Sequence, residues 1–240
     1  MHDITRQKQA EKEREDIIGY VAHELRNPLA NLMLCNDILN DMLPESMGNE
    51  AAVILHRNRN NIQRLHRMIT ELYDTARVNS GNFNLDITTF NFQEMIQEAV
   101  QTVKFLHPAF TITTNHQDLF SIEADRYRLT QVVTNYLTNG IKYSNNNKEV
   151  FLDFKLEEGN VILSVKDNGV GISAEHVPYI FVRFYRAENI NNIDGIGLGL
   201  YLCMQIIHAH QGKVWVESQP GEGATFYFSF PVHFTNHLVN

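Results

Sequence analysis

Between about Thr5 and Leu43 the apolar positions follow a helical period. Ile18, Val21, Leu25, Pro28, Leu32, Cys35 and Leu39 recur at alternating spacings of three and four, a seam of about three heptads. The only glycine and the only proline in that span are Gly19 and Pro28. The pattern breaks at PESMGN, Pro44 to Asn49, and resumes to about Val78 with Leu55, Ile62, Leu65, Ile69, Leu72 and Ala76. NSGN, Asn79 to Asn82, then marks a turn. Two long helices with a short connection predict an antiparallel hairpin. Ile17, Ala22, Leu29 and Met33 flank the first seam, and Met68 and Tyr73 the second. A lone hairpin leaves those flanks wet, so the pattern predicts a homodimer closed into a four-helix bundle.

Beyond the turn the period shortens and mixes. LDITTF, Leu85 to Phe90, alternates like a strand, and Phe90 to Leu106 reads as a helix stopped by Pro108. Short strands are expected around Phe110 to Thr114 and Phe120 to Glu123, and a helix over Tyr127 to Tyr143. EVFLDFKL and NVILSVKD form a hairpin about Glu157 to Gly159. A helix over Leu198 to His210 and the strands KVWVES and ATFYFSF complete the chain. There is no βαβ regularity. The fold class is therefore α+β: a helical hairpin followed by a sandwich, with helices on one face of a mostly antiparallel sheet.

Composition narrows this picture. The 240 residues suffice for a real core. A formal net charge of −8 disfavours generic binding to nucleic acid. Cys35 and Cys203 lie in apolar helical patterns without metal-ligand spacing, and read as buried thiols of a reducing compartment. No apolar run reaches membrane-spanning length and no signal peptide is expected, so the chain reads as cytoplasmic, with a membrane-anchored parent left open.

VAHELRNPLA, Val21 to Ala30, interrupts the apolar repeat with candidate chemistry. At the helical pitch His23 lies about 200° round from Val21, away from Leu25 and on the wet face. Glu24 is beside it and Asn27 one turn on, on nearly the same face. Pro28 cannot donate to the Glu24 carbonyl and weakens the helix just past the histidine. An exposed imidazole beside a carboxylate can act as nucleophile or base, although surface histidines are common and this chain has eleven. A zinc HExxH motif is excluded because position 27 is asparagine.

Four later stretches carry further candidates. In NYLTNGIKYS, Asn135, Asn139 and Lys142 share one helix face, where an amide oxygen suits a hard cation and an ammonium suits phosphate. In DNGVGI a carboxylate, Asp167, opens a glycine turn that lets a flat ligand approach backbone. In DGIGLGL glycines open a helix and present N–H groups to an anion. GEGATF, Gly221 to Phe226, is by itself only a turn.

In this order the six motifs make the chain resemble a sensor histidine kinase of a two-component system over nearly its whole length. IGYVAHELRNPLANL resembles the H box, QVVTNYLTNGIKYS the N box, DNGVGI the first glycine box and FVRFYRAEN the F box. GIGLGLYLC and GEGATFYF resemble the second and third glycine boxes. The resemblance implies a dimerisation and phosphotransfer domain at 16–80 and a catalytic domain of Bergerat (GHKL) fold at 81–240, a fold shared with DNA gyrase and heat-shock chaperone ATPases. HDITRQKQAEKERE, within residues 1–15, resembles the end of a PAS sensor domain leading into a signalling helix.

By the same resemblance, His23 is the phosphoacceptor, Glu24 orients it and accepts its proton, and Asn27 positions water for dephosphorylating the regulator. Asn135 holds Mg2+, Asn139 and Lys142 contact the phosphates of ATP, and Tyr143 lines the pocket. Asp167 takes the adenine amine, with Gly169 and Gly171 shaping the floor. Arg186 approaches the γ-phosphate. Gly195, Gly197, Leu198 and Gly199 belong to the lid and its anchor, and Thr225 sits near adenine. The implied partner is the receiver domain of a response regulator, reached after the catalytic domain swings on a hinge near Ser80 and Gly81. The stretch from Ala187 to Asp194 reads as a short polar lid. Gly140, Val182, Ile196 and Ala224 depart from the commonest family residues. A degenerate, non-catalytic relay and an ATPase of the chaperone or topoisomerase type remain the alternatives to an active autokinase.

Overall fold

The structure, a computed structural model, describes residue 25 and residues 29–30, 32–34, 36–39, 49–79, 83–115, 120–144, 148–187 and 197–232. They form two compact units that divide between Phe83 and Asn84.

In the first unit the described residues from 25 to 39 are helical, and helix α1 spans Asn49–Asn79. Leu29, Ile62 and Ile69 form the core, with Met33, Leu72 and Tyr73 packed against it. Asn58 Nδ2 donates to Asn36 Oδ1 at 3.2 Å, and Arg59 meets Asp37 at 3.7 Å. Leu29 meets residues later in α1 than Asn36 does, so the helices run antiparallel, as the spacing predicts.

The seam itself needs correction. Leu25, Leu32, Leu39 and Leu65 are 48%, 55%, 56% and 49% exposed, whereas Leu29, expected on a flank, is 5% exposed. An apolar stripe wider than a single heptad seam contains two lines of contact. The hairpin closes with the Leu29–Met33 line of the first helix against Ile62, Ile69 and Leu72, which lie on the expected seam of α1, and leaves Leu25, Leu32, Leu39 and Leu65 outward.

The second unit is a two-layer sandwich. Its elements are β1 (Thr88–Asn91), α2 (Phe92–Leu106), β2 (Thr111–Thr114), β3 (Ser121–Ala124), α3 (Arg126–Tyr143), β4 (Glu149–Glu157) and β5 (Asn160–Asp167). A 3-10 turn (Val177–Tyr179), α4 (Gly199–Ala209), β6 (Lys213–Ser218) and β7 (Ala224–Pro231) follow. Five strands form the main sheet in the order β2-β4-β5-β7-β6, with β1 and β3 in a separate antiparallel pair. All neighbours in the main sheet are antiparallel except β2 and β4. The helices pack on one another and on one sheet face.

Burial alternates along β4, β5 and β7, so Leu152, Leu163 and Phe228 face the helices with their i±2 neighbours. Phe92 stacks on Phe120 and meets Phe154 edge-on, and Tyr136 lies between Phe226 and Phe228. On the opposite face Trp215 and Tyr227 stack 4.9 Å apart, parallel to within 1°. The β4–β5 turn is Glu158-Gly159, both at positive φ (50° and 75°), the pairing a two-residue hairpin demands. The first strand begins later than the alternation from Leu85 predicts. The Asp86 N–H donates instead to Asp125 Oδ2 at 2.9 Å, which takes it out of the ladder.

Candidate functional site

Helix α3 supplies the longest edge of the site. Asp125 caps its N-terminus, its Oδ1 accepting the Arg128 N–H at 3.0 Å. Leu129, Val132, Val133, Tyr136, Leu137, Gly140 and Ile141 are buried, so Asn135, Asn139 and Lys142 fall on the adjoining, partly exposed face. Asn139 Nδ2 donates to Asn135 Oδ1 at 2.8 Å. The Lys142 ammonium lies 3.2 Å from the Tyr143 hydroxyl and 4.8 Å over that ring. An aromatic face steadies the charge without neutralising it.

At the C-terminal end of α3, the turn after β5 docks on the helix. The Tyr143 carbonyl accepts the Val170 N–H at 3.3 Å. Asp167, the last residue of β5, is 3% exposed. Its Oδ1 accepts from Gly169 N–H at 2.8 Å and from Ala224 N–H at 3.3 Å. Burial pushes its carboxyl pKa up from 3.8, and those two N–H groups offset part of the rise. Gly171 has φ +69° and lies so close to the Gln219 carbonyl that a Cβ there would collide with it. Ser218 joins the two glycine turns: its hydroxyl donates to the Gly223 carbonyl at 2.6 Å and accepts from Ile172 N–H at 2.8 Å. DNGVGI and GEGATF are thus one substructure around Asp167.

Toward the other end of α3, Asn135 meets the start of α4. A Cβ on Gly199 would run into Asn135 Nδ2. Leu198, the N-cap of α4, is fully buried and gives no side-chain cap bond. The first N–H groups of α4 therefore have no side-chain partner in the cap and favour an anion. Asp167 packs beside Gly140, five residues beyond Asn135, a rise of roughly 8 Å along the helix. A carboxylate that accepts hydrogen bonds thus stands at one end of that stretch, and an amide oxygen beside a helix N-terminus at the other.

The structure thus brings together Asn135, Asn139, Lys142, Tyr143, Asp167, Gly169, Gly171, Leu198 and Gly199. Gly197, at φ +74°, accepts the Phe184 N–H at 2.9 Å through its carbonyl. Arg186 is exposed near that junction and has interactions of its own. His23, Glu24, Asn27, Cys35, Gly195, the Ser80–Gly81 hinge and most of the Ala187–Asp194 lid lie outside the described residues.

Thr225 needs correction. Its neighbour Ala224 reaches Asp167, through a backbone N–H. Successive strand residues face opposite ways, and Thr225 pairs in register with Lys166 and Glu217 on the side away from the helices. The sequence reading missed Ala224 and Ser218 because one acts through its backbone and the other through a turn. The spacing of GEGATF behind a strand was the available signal. Cys203 is a buried thiol, 1% exposed. Among the described residues no group of His, Cys, Asp and Glu could hold a metal, and no helix is long and apolar enough to cross a membrane.

Comparison with known proteins adds to this geometry. Residues 13–81 match the His Kinase A (phospho-acceptor) domain, and residues 124–233 match the Histidine kinase-, DNA gyrase B-, and HSP90-like ATPase family. The chain is 32% identical over 229 residues to the adaptive-response sensory kinase SasA of Thermosynechococcus vestitus, covering 92% of this chain and 60% of SasA. It is 30% identical over 238 residues to the sensor histidine kinase WalK of Bacillus subtilis, covering 96% of this chain and 39% of WalK. The chain thus spans only part of the length of these relatives.

Among solved structures, full-length ShkA in complex with AMPPNP has the same fold, with a TM-score of 0.75 over 92% of this chain and 46% of ShkA at 23% identity. The catalytic domain of histidine kinase ThkA, 30% identical, gives a TM-score of 0.53 over 61% of this chain and 96% of that domain.

Proposed function

We propose, since the chain belongs to the sensor histidine kinases of two-component systems, that it is an ATP-dependent autokinase that phosphorylates His23 and passes the phosphoryl group to an aspartate of a response regulator. The observation that carries this reading is the α3 face bounded by Asp167 at one end and by Asn135 and the start of α4 at the other. The two ends are separated by roughly 8 Å along the helix axis, so a nucleotide can lie along the face with its base at Asp167 and its phosphates toward α4. Asp167 Oδ2 accepts the adenine amine. Lys142, Asn139 and the N–H groups opening α4 bind the phosphates, and Tyr143 lines the base pocket.

The residues present also fit Mg2+. Asn135 Oδ1 accepts one hydrogen bond, from Asn139, and an amide oxygen has a second lone pair for a hard cation. Phosphate oxygens and water complete such a shell. Bound there, Mg2+ would neutralise charge on the phosphates.

In the reaction a ring nitrogen of His23 attacks the γ-phosphorus in line, the bond to ADP breaks, and Glu24 takes the ring proton. Arg186 approaches the transferring group to offset its charge. The aspartate of a receiver domain then takes the phosphoryl group from His23. Asn27 positions the water that removes it from the regulator. Residues 16–80 form the phosphotransfer domain and 81–240 the catalytic domain, hinged near Ser80 and Gly81. Residues 1–15 lead in from a PAS-type sensor. The outward leucines at 25, 32, 39 and 65 support a homodimer closed into a four-helix bundle.

The test is a His23→Gln variant incubated with γ-labelled ATP. Acid-labile labelling disappears and nucleotide binding persists. Persistent labelling would remove His23 from the mechanism.

A further inference from the structure

From Ser173 to Tyr185 a run of short-range backbone bonds folds the chain. His176 N–H donates to the Ser173 carbonyl at 2.9 Å, Tyr179 N–H to that of His176 at 2.9 Å, and Val182 N–H to that of Tyr179 at 2.8 Å. Tyr185 N–H follows, to the Val182 carbonyl at 3.2 Å. No strand ladder holds this segment, so its side chains decide how firmly its far end is placed.

A side-chain bond ties residue 176 to residue 185 within it. The Tyr185 hydroxyl lies 2.6 Å from His176 Nδ1. The Tyr185 ring also lies 5.5 Å from that of Tyr179 and 6.1 Å from the imidazole. The His176 side chain is 20% exposed, whereas Glu175, whose carboxylate is 3.8 Å from Nε2, is 78% exposed and too wet to fix the ring.

The other side of Tyr185 is held as well. Its carbonyl abuts Gly197, where a Cβ would fall 2.7 Å away, and Phe184 N–H bonds to the Gly197 carbonyl. Phe184 adopts φ +64°, a left-handed conformation costly to a side chain that persists only where neighbours impose it. Tyr185 therefore stands between a strut from His176 and the residue where the chain re-enters α4. Arg186 follows it directly.

We infer that His176 is a positioning residue for phosphoryl transfer: by holding the Tyr185 hydroxyl it fixes the backbone from which Arg186 extends toward the nucleotide. This rests on the reading of Arg186 as the arginine that meets the γ-phosphate. The role inferred for His176 runs through Tyr185 and Arg186. Its effect falls on the transfer step, while the nucleotide contacts along α3 stay in place.

The experiment measures the initial rate of phosphohistidine formation by the full chain against ATP concentration. The variants are His176→Phe, His176→Asn, Tyr185→Phe, the His176→Phe/Tyr185→Phe double and Arg186→Ala. His176→Phe and Tyr185→Phe each lower kcat about fivefold, the scale of one lost hydrogen bond. KM for ATP stays within about twofold, and the double variant is no worse than either single one, as for partners in one bond. His176→Asn places an oxygen near the position of Nδ1 and restores most of kcat.

An unchanged kcat in His176→Phe, losses that multiply in the double variant, or an Asn variant as impaired as the Phe variant would overturn the inference. Full activity in Arg186→Ala overturns the reading beneath it instead. Loss in Arg186→Ala alone leaves that reading standing and removes His176.

Discussion

Asn139 donates to Asn135 Oδ1 at 2.8 Å, and the amide of Asn135 in turn abuts Gly199 at the start of α4. The proposed metal ligand is thus oriented by its own helix and crowded by the next. A Gly199→Ala substitution suits a helix but puts a methyl group against Asn135 Nδ2. The amide must turn and release Asn139. Binding of AMPPNP with Mg2+ is expected to weaken roughly tenfold, with little change in EDTA. Titration calorimetry under both conditions checks this, and equal weakening in both would place the metal elsewhere.

Asp167 is expected to show opposite effects on binding and stability. Burial raises its folded pKa above 3.8, so the folded state favours the protonated acid. That contribution is full at low pH and is lost as pH rises through the folded value. Above it, the ionised carboxylate costs the fold stability. Asp167→Asn should therefore lose nucleotide affinity by about 10- to 100-fold while melting no lower than the parent at neutral pH. The difference in Tm should shrink as pH falls into the acidic range. A variant that melts well below the parent at neutral pH would show that the charged form is favoured instead.

The two apolar lines of the hairpin should separate folding from association. Leu29→Ala opens space in the hairpin core and should cost about 2–4 kcal/mol of unfolding free energy. Leu32→Asp, at a position 55% exposed in the single chain, should leave secondary structure intact and shift sedimentation from dimer to monomer. Unchanged sedimentation would move the dimer contact off this line.

His210 makes the second unit acid-sensitive. Its Nδ1 is 2.8 Å from the Ile206 carbonyl and its Nε2 accepts the Asp125 N–H at 3.1 Å, which requires the neutral ring. Burial lowers its pKa below 6.5, partly offset by that carbonyl and by the Asp125 carboxylate. The unfolded chain binds the proton first, so this stabilisation is present above about pH 6.5 and drains as pH falls through the folded value. His210→Gln should melt lower near neutral pH yet decline less on acidification. Parallel slopes for parent and variant would assign the acid sensitivity to other groups.

The sequence made the repeated and local features legible. Alternation gave β4, β5 and β7, and the Glu158-Gly159 pair gave the turn between β4 and β5, because period and turn chemistry are local. The parallel pairing of β2 with β4 and the separate β1–β3 pair were hidden, because a four-residue strand has too few alternations to name its partner. The choice between Leu29 and Leu32 for the hairpin core could not be read, since a wide apolar stripe satisfies both. The order of glycine motifs located the Asp167 turn. One-residue alternation then decided that Ala224, not Thr225, reaches it. His176 and Tyr185 are nine residues apart, and no periodic signal links them.

Trp215 is the chain's one tryptophan, and it lies on the second unit against Tyr227. Ultraviolet emission excited at the indole is therefore a beacon for the sheet alone, blind to the helical hairpin, whereas far-ultraviolet dichroism sums both. Recording the two signals in one denaturation run would tell whether the halves come apart together or in turn, with no label added to the molecule.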